Sequence, residues 1–325
     1  MREPSRLVLV LGLLGATLAA EAQPTSKTPR VGLVLSGSPA DAEPLLAAFR
    51  QGLRERGYVE GQTVVIAPRF ADAVQRLPDL VAELVRINVD VIVTQGTPAA
   101  QAARRATGTI PIVMATSGDP VAAGLVASLA RPGGNVTGNS ILGPELVGKR
   151  LELLTEIVPS ISRVVVVLNP TNPLHALHMR ELEAPAKTLG VTLQPLEARS
   201  ADDLERVFRM AVSGRAGAVL VFGDPVLTAH RARMANLAAK NRLPAIYELS
   251  GFAEAGGLIN YGPNLHELFR RAAGYVDRIL KRARPADLPV QQPTQFELVI
   301  NLRTAKALGL TIPQSLLMRA DKVIQ

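Results

Sequence analysis

Short apolar runs dominated by β-branched residues recur along this 325-residue chain, each followed by a longer stretch with helical periodicity. VGLVLS (31–36), VVIAPRF (64–70), VDVIVTQ (89–95) and IPIVMA (110–115) form a first series. RVVVVLN (163–169), VTLQPLE (191–197), AGAVLVFG (216–223) and LPAIY (243–247) form a second. Continuously apolar runs of this length suit strands covered on both faces. Strand and helix in alternation dictate a parallel sheet, because parallel neighbours need a long crossover. Thr109 to Ser140 holds one complete strand, loop, helix, loop, strand unit, with VAAGLVASLA (121–130) as its helix and Pro132-Gly133-Gly134 as the breakers after it.

The expected fold class is therefore α/β, with two doubly wound parallel-sheet lobes. After the second series, GGLINYGPN (256–264) crosses back, a helix from Leu265 to Lys281 joins the first lobe, and the Pro-rich segment 285–293 crosses again. With the first crossing near 141, the hinge has three segments. The lobes become 29–141 with 262–285, and 142–261 with 286–325.

Thr97-Pro98, Asp119-Pro120, Asn172-Pro173 and Asp224-Pro225 each follow a strand run, two in each series. A Thr, Asp or Asn before Pro reads as a helix N-cap followed by a first helical residue that needs no amide partner. Each loop then lies at the carboxyl end of a strand and the amino end of a helix, where open α/β sheets bind ligands.

Composition narrows the function. Aromatic residues make up 3% and Trp is absent, so no platform exists for stacking bases or sugars. The net charge of +8 comes from dispersed Lys and Arg, with only short clusters such as Lys281-Arg282-Ala283-Arg284 and no recognition motif, so no nucleic-acid partner is expected. Without Cys there are no disulfides, thiolate nucleophiles or Cys-ligated zinc. Gly32 and Gly37 have P-loop spacing, but Ser38 and Pro39 stand where Lys and Ser/Thr are required. No dinucleotide fingerprint or nucleophile elbow occurs. His175 and His178 read as an exposed pair and not as metal ligands. Neither a cofactor nor a metal is expected, and the chain does not read as an enzyme.

Arg2 and Arg6 precede an apolar block from Leu7 to Ala20, and Ala20-Glu21-Ala22 fits a cleavage site before Gln23. Residues 1–22 thus read as a signal peptide, too short in its apolar part to span a bilayer. With no Cys after the block there is no acceptor for a lipid anchor. The expectation is a periplasmic protein acting as a monomer.

The segment IPIVMATSGDPVAAGLVASLARPGGNVTG resembles the signature of a bacterial ABC-transporter substrate-binding family that includes tryptophan-binding lipoproteins. The resemblance extends to AFRQGLRERGYVEGQ (48–62), VDVIVTQGTPAAQAA (89–103), GKRLELLTEIVP (148–159), GGLINYGPN (256–264) and the last segment from Leu288 to Ile324. It implies a type I periplasmic binding fold, a small-molecule ligand in the interlobe cleft and a membrane permease as partner. An amino acid or related carboxylate is the ligand class that fits. Other readings are a sensor component, a regulator's effector domain and a secreted α/β enzyme.

The candidate ligand residues are the polar groups of the strand-end loops: Ser36, Gln95, Thr97, Ser117 and Asp119 in the first lobe, and Asn169, Asn172, Asp224, Tyr247 and Glu248 in the second. Thr97, Asp119, Asn172 and Asp224 either cap their helices or touch ligand, and both roles are compatible. Helix N-termini aimed at the cleft would receive a carboxylate. Asp119 and Glu248 would offer charge to an ammonium group, with Tyr247 as a flat wall and Tyr261 as hinge packing.

Overall fold

Every expected β-branched run becomes a strand in the computed structural model, which describes residues 28–141, 144–294 and 296–325. The expected signal peptide at 1–22 lies outside the described residues. The first lobe runs through β1 (Arg30–Ser36), α1 (Pro39–Arg54), β2 (Val65–Ala71), α2 (Leu77–Arg86), β3 (Val91–Gln95), α3 (Thr97–Ala106), β4 (Ile112–Thr116) and β5 (Val136–Gly138). Its five strands pair in the order β2-β1-β3-β4-β5, all parallel.

The chain then enters the second lobe with α4 (Pro144–Ile157), β6 (Arg163–Leu168), α5 (His175–Thr188), β7 (Thr192–Glu197), α6 (Asp203–Ser213) and β8 (Ala218–Val221). It continues through α7 (Pro225–Ala229), α8 (Arg231–Lys240), β9 (Ala245–Tyr247) and β10 (Ile259–Gly262). Helix α9 (Leu265–Leu280) belongs to the first lobe, where Leu268, Phe269, Ala272 and Val276 share a core with Phe49 and Leu53 of α1 and Val31 and Leu33 of β1. A Cβ on Gly52 would fall 2.3 Å from Arg270 O, so the absence of a side chain lets the two helices touch. The chain finishes with β11 (Glu297–Asn301), α10 (Leu302–Ala307), α11 (Gln314–Leu317) and β12 (Lys322–Ile324).

The second sheet, ordered β12-β11-β10-β9-β8-β6-β7, is mixed and not parallel throughout as expected. β10 lies parallel to β9 but antiparallel to β11. The reason is the hinge. Strands β6 to β10 run toward the lobe junction, so a chain returning from the first lobe must enter the sheet at that end, running the other way.

Asn139, fully buried, fixes the first crossing by donating from Nδ2 to Ala115 O (3.1 Å) and Leu268 O (3.0 Å). Ser140 N–H donates to Gln291 O (2.8 Å) and Gln291 N–H to Gly138 O (3.0 Å), which ties the first crossing to the third. Leu288 and Val290 belong to first-lobe cores, so residues 286–291 lie with the first sheet and not with the second as expected.

A further departure is 121–130, which forms turns where a helix was expected. Ala123 N–H bonds to Asp119 O (3.0 Å), completing one turn, but Gly124 has φ +67° and stops propagation. Leu125 and Val126 then tuck into the core, while Gln101 and Arg104 of α3 donate to the carbonyls of Ala123 and Leu125 that a helix would have satisfied internally. Among the described residues no helix is long and apolar enough to cross a membrane.

Candidate functional site

The carboxyl ends of β1, β3 and β4 face those of β6, β8 and β9 across the junction between the lobes. An enclosed space of about 20 Å³ lies there. Gln95, Gly96, Thr97, Thr116 and Gly118 line it from the first lobe; Asn172, Leu174, His175, His178, Gly223, Pro225, Glu248 and Leu249 line it from the second, with Ile141 and Leu265 beside the crossings. A space of this size has room for about one water, so the cleft is closed. A larger groove of about 790 Å³ opens on the flank of the hinge, away from the strand ends. Its carboxylates are engaged: Asp41 in the capping box of α1, Glu254 with Lys322, Glu297 with Asn264 and Asp321 with Leu298 N–H.

Glu248 carries the charge of the enclosed site. It is 3% exposed; Oε2 accepts from Gly223 N–H (2.7 Å) and Oε1 lies 3.6 Å from Arg150 Nη2. Burial alone would push its carboxyl up, but the Arg150 guanidinium, His178 and the Gly223 amide together hold it below the usual range. Glu248 is therefore an ionised acceptor facing the cleft. Bends and turns, not a helix, follow it over residues 249–256.

His175 and His178 are buried, 1% and 5% exposed, and not the exposed pair expected. His175 Nδ1 accepts from Asn169 N–H (2.9 Å), which leaves its proton on Nε2, 3.2 Å from Gly223 O. His178 stands edge-on to Phe222 with ring centroids 5.5 Å apart, and Nδ1 has no partner among the described residues. Burial lowers the pKa of His178, opposed by Glu248 and reinforced by His175 and Arg150.

Asp224, fully buried, is the hub of the second-lobe loops. Oδ1 accepts from Val226 N–H (2.9 Å), Leu227 N–H (3.2 Å) and Asn169 Nδ2 (3.2 Å), and Oδ2 from Asn172 Nδ2 (3.2 Å). It caps α7 and binds two loops together, and it does not line the enclosed space.

Of the remaining expected residues, Gln95, Thr97 and Asn172 line the space. Thr97 is not a cap: Gly96 takes that position, and Thr97 Oγ1 meets Ser117 Oγ (3.1 Å) and accepts from Gly118 N–H (3.1 Å). Ser117 thus sits one layer behind the lining. Asn172 closes a turn by accepting from Leu174 N–H (3.3 Å), two residues before the N-cap position of α5. Ser36 donates its N–H to Gln95 Oε1 (3.0 Å) in a smaller neighbouring recess. Asp119, half-buried, accepts from Val121 and Ala122 N–H (2.9 and 3.0 Å), capping a turn. Asn169 Oδ1 accepts from Thr171 N–H (3.1 Å) and supports its own loop.

Tyr247 is not a wall of the site. Its ring stacks on Phe252 at 4.2 Å in the second-lobe core. It ends β9 pointing away from the cleft, because successive side chains of a strand alternate faces and Glu248 takes the other one. Tyr261 packs near Phe296, with centroids 6.3 Å apart, and its carbonyl accepts from Arg150 Nε (2.8 Å).

Sequence reasoning missed Arg150, which is fully buried, its Nη2 in an ion pair with Glu248 and neither Nη hydrogen-bonded among the described residues. A signal existed: Val147, Leu151 and Leu154 place Arg150 on the apolar face of its helix, where a cation requires a buried partner. Chemically, the site offers an ionised carboxylate on one side. On the other it offers Thr116, whose Oγ1 accepts from Gly96 N–H (3.0 Å) and keeps its proton to donate, beside the first turn of the ten-residue α3. Among the described residues no group of three His, Asp or Glu is placed to hold a metal.

Two α/β lobes that meet at a polar site on their strand ends have the architecture of the type I periplasmic binding proteins. The family model for ABC transporter substrate binding proteins matches residues 40–324, and the chain belongs to that family. It is 28% identical over 265 residues to a tyrosine-binding protein of Clostridioides difficile (strain R20291), covering 81% of this chain and 75% of that one. A domain from Streptococcus pneumoniae in complex with L-Trp superposes with a TM-score of 0.83 at 26% identity, covering 92% of this chain and 100% of that one. The ligand-free, open structure of a substrate-binding protein with adhesive properties from Clostridium difficile gives 0.63 at 25% identity, covering 91% and 99%.

Proposed function

We propose that this protein is an extracytoplasmic receptor that takes an amino acid or related carboxylate between its lobes and hands it to the permease of an ABC importer. The observation that carries the reading is Glu248: a buried, ionised carboxylate facing an interlobe space has a ready partner in an ammonium group. Thr116 and the first turn of α3 supply donors for a carboxylate on the opposite side, so the two ends of a zwitterion meet opposite lobes. Relatives that carry tyrosine and L-Trp in their names support the amino-acid class. The charged start, short apolar block and Ala20-Glu21-Ala22 support export.

The test is calorimetric titration of the unfolded, dialysed and refolded protein with the twenty proteinogenic L-amino acids. At least one is expected to bind, and Glu248→Gln is expected to weaken it about 30-fold or more, the consequence of removing one partner of a desolvated charge pair. Binding of none of the twenty would overturn the amino-acid reading, and unchanged affinity in Glu248→Gln would overturn the role of Glu248.

A further inference from the structure

Three first-lobe glycines stand just beyond β1, β3 and β4, and each meets an apolar group from the second lobe. A Cβ on Gly37 would lie 2.6 Å from Ala229 Cβ, one on Gly96 would lie 2.3 Å from Pro225 Cγ, and one on Gly118 would lie 1.9 Å from Leu174 Cδ1. Gly37 and Gly96 have φ of +89° and +83°, so their backbone already favours glycine. Gly118 does not share that conformation. Its missing side chain has another use, which is to leave a socket for Leu174. Leu174 is 5% exposed, precedes α5, and also lines the enclosed space.

We propose that Leu174 is a specificity-determining residue: seated in the socket at Gly118, it fixes how far the lobes close and how much room the closed site leaves for the ligand's side chain. This rests on the amino-acid receptor reading for its ligand, though the docking contact itself does not. Leu174 makes no polar contact with a ligand. It acts by limiting approach, because packed surfaces do not yield to an inserted methyl group. Gly118 is the matching surface, and the Pro225 and Gly96 pair repeats the arrangement at the next strand end.

The same panel of twenty L-amino acids is titrated into Gly118→Ala, Leu174→Ala and the double variant. Gly118→Ala is expected to wedge the lobes and weaken every binder about tenfold or more, on the scale of overpacking. The double variant should return to within about threefold of Leu174→Ala, as for two groups whose only coupling is their clash. Leu174→Ala alone should move the order of preference toward larger side chains. Gly118→Ala binding like the wild type, or a double variant that stays as weak as Gly118→Ala, overturns the proposal. Unliganded melting within about 2 °C of the wild type shows that Gly118→Ala folds.

A ligand-free arm separates the two readings. The chain has no Cys, so Gly118→Cys/Leu174→Cys introduces the only pair, and oxidation without amino acid should give an intramolecular disulfide detected by a mass loss of two hydrogens. A disulfide in a protein that binds no amino acid would leave the docking contact standing and remove the amino-acid reading. Amino-acid binding with no disulfide would do the reverse.

Discussion

Arg150 Nη2 lies 3.6 Å from Glu248 Oε1, and both residues are shut off from water. Arg150 comes from the helix that follows the first crossing, and its Nε bonds the carbonyl of Tyr261, just ahead of the second. The pair therefore joins the carboxylate that lines the interlobe space to two of the three hinge segments. Removing one partner of a buried pair leaves an uncompensated charge, which costs about 3–5 kcal/mol. Arg150→Met is expected to lose stability on that scale in urea unfolding, and Arg150→Met/Glu248→Gln to recover part of it. A loss below about 1 kcal/mol would mean that Glu248 finds another counter-charge, the magnitude of an exposed pair.

His178 gives stability a dependence on pH. The unfolded chain protonates this ring near pH 6.5, whereas burial makes the folded protein take the proton only at lower pH. Protonation thus favours unfolding: the contribution is complete above about pH 6.5 and is lost as pH falls from there through the folded value. Glu248, held below its unfolded pKa, loses its own contribution only further down, below about pH 4.3. His230 is shifted down as well and titrates in the upper window. The expected outcome is a wild-type urea midpoint that falls between pH 7 and pH 5, and a smaller fall in His178→Gln. Parallel curves for the two proteins would show that His178 accepts a proton in the fold as readily as outside it.

Asp224 is surrounded by donors on both oxygens, so its replacements separate charge from geometry. Asp224→Ala removes a cap, about 1 kcal/mol, and leaves the buried amides of Asn169 and Asn172 short of an acceptor at about 1–3 kcal/mol each. Asp224→Asn is no milder in kind, because one oxygen becomes a donor facing another donor. Both variants should unfold at clearly lower urea, with the alanine variant losing about 3–7 kcal/mol. An asparagine variant as stable as the wild type would contradict this network.

Asp119→Asn should do almost nothing. Oδ1 alone holds the turn, through Val121 and Ala122, and asparagine keeps that oxygen. Stability and amino-acid affinity are both expected to stay within about 0.5 kcal/mol of the wild type. A tenfold loss of affinity by calorimetry would place Asp119 against the ligand.

The strands were legible because burial on both faces selects β-branched runs whatever surrounds them. The loop grammar was less so. An Asp, Thr or Asn before Pro signals a chain about to turn, and only Asp224 converts that signal into a side-chain cap on a helix. At Thr97 the cap position falls to Gly96, at Asn172 the helix begins three residues later, and after Asp119 a left-handed Gly124 ends the turn. In the site, Glu248, Thr97, Gln95 and Asn172 could be found from their place after strands. Arg150 and Leu174 could not be found that way, since their roles depend on elements far away in sequence: β10 and Glu248 for one, Gly118 for the other. Tyr247 was misplaced by a single residue of strand parity.

Helix α9 has a consequence for the order in which the protein is built. The faces of β1 and β3 that it covers are synthesised early, and the residues that cover them, Leu268 to Ile279, come near the end. A chain emerging from the ribosome holds an unfinished first core until almost all of it exists, because closing so long a loop must precede the contacts that reward it. The second lobe is held back as well, with β11 and β12 still to come. A chain that cannot complete either core before release stays unfolded for longest, and the export proposed above would draw on that unfolded form.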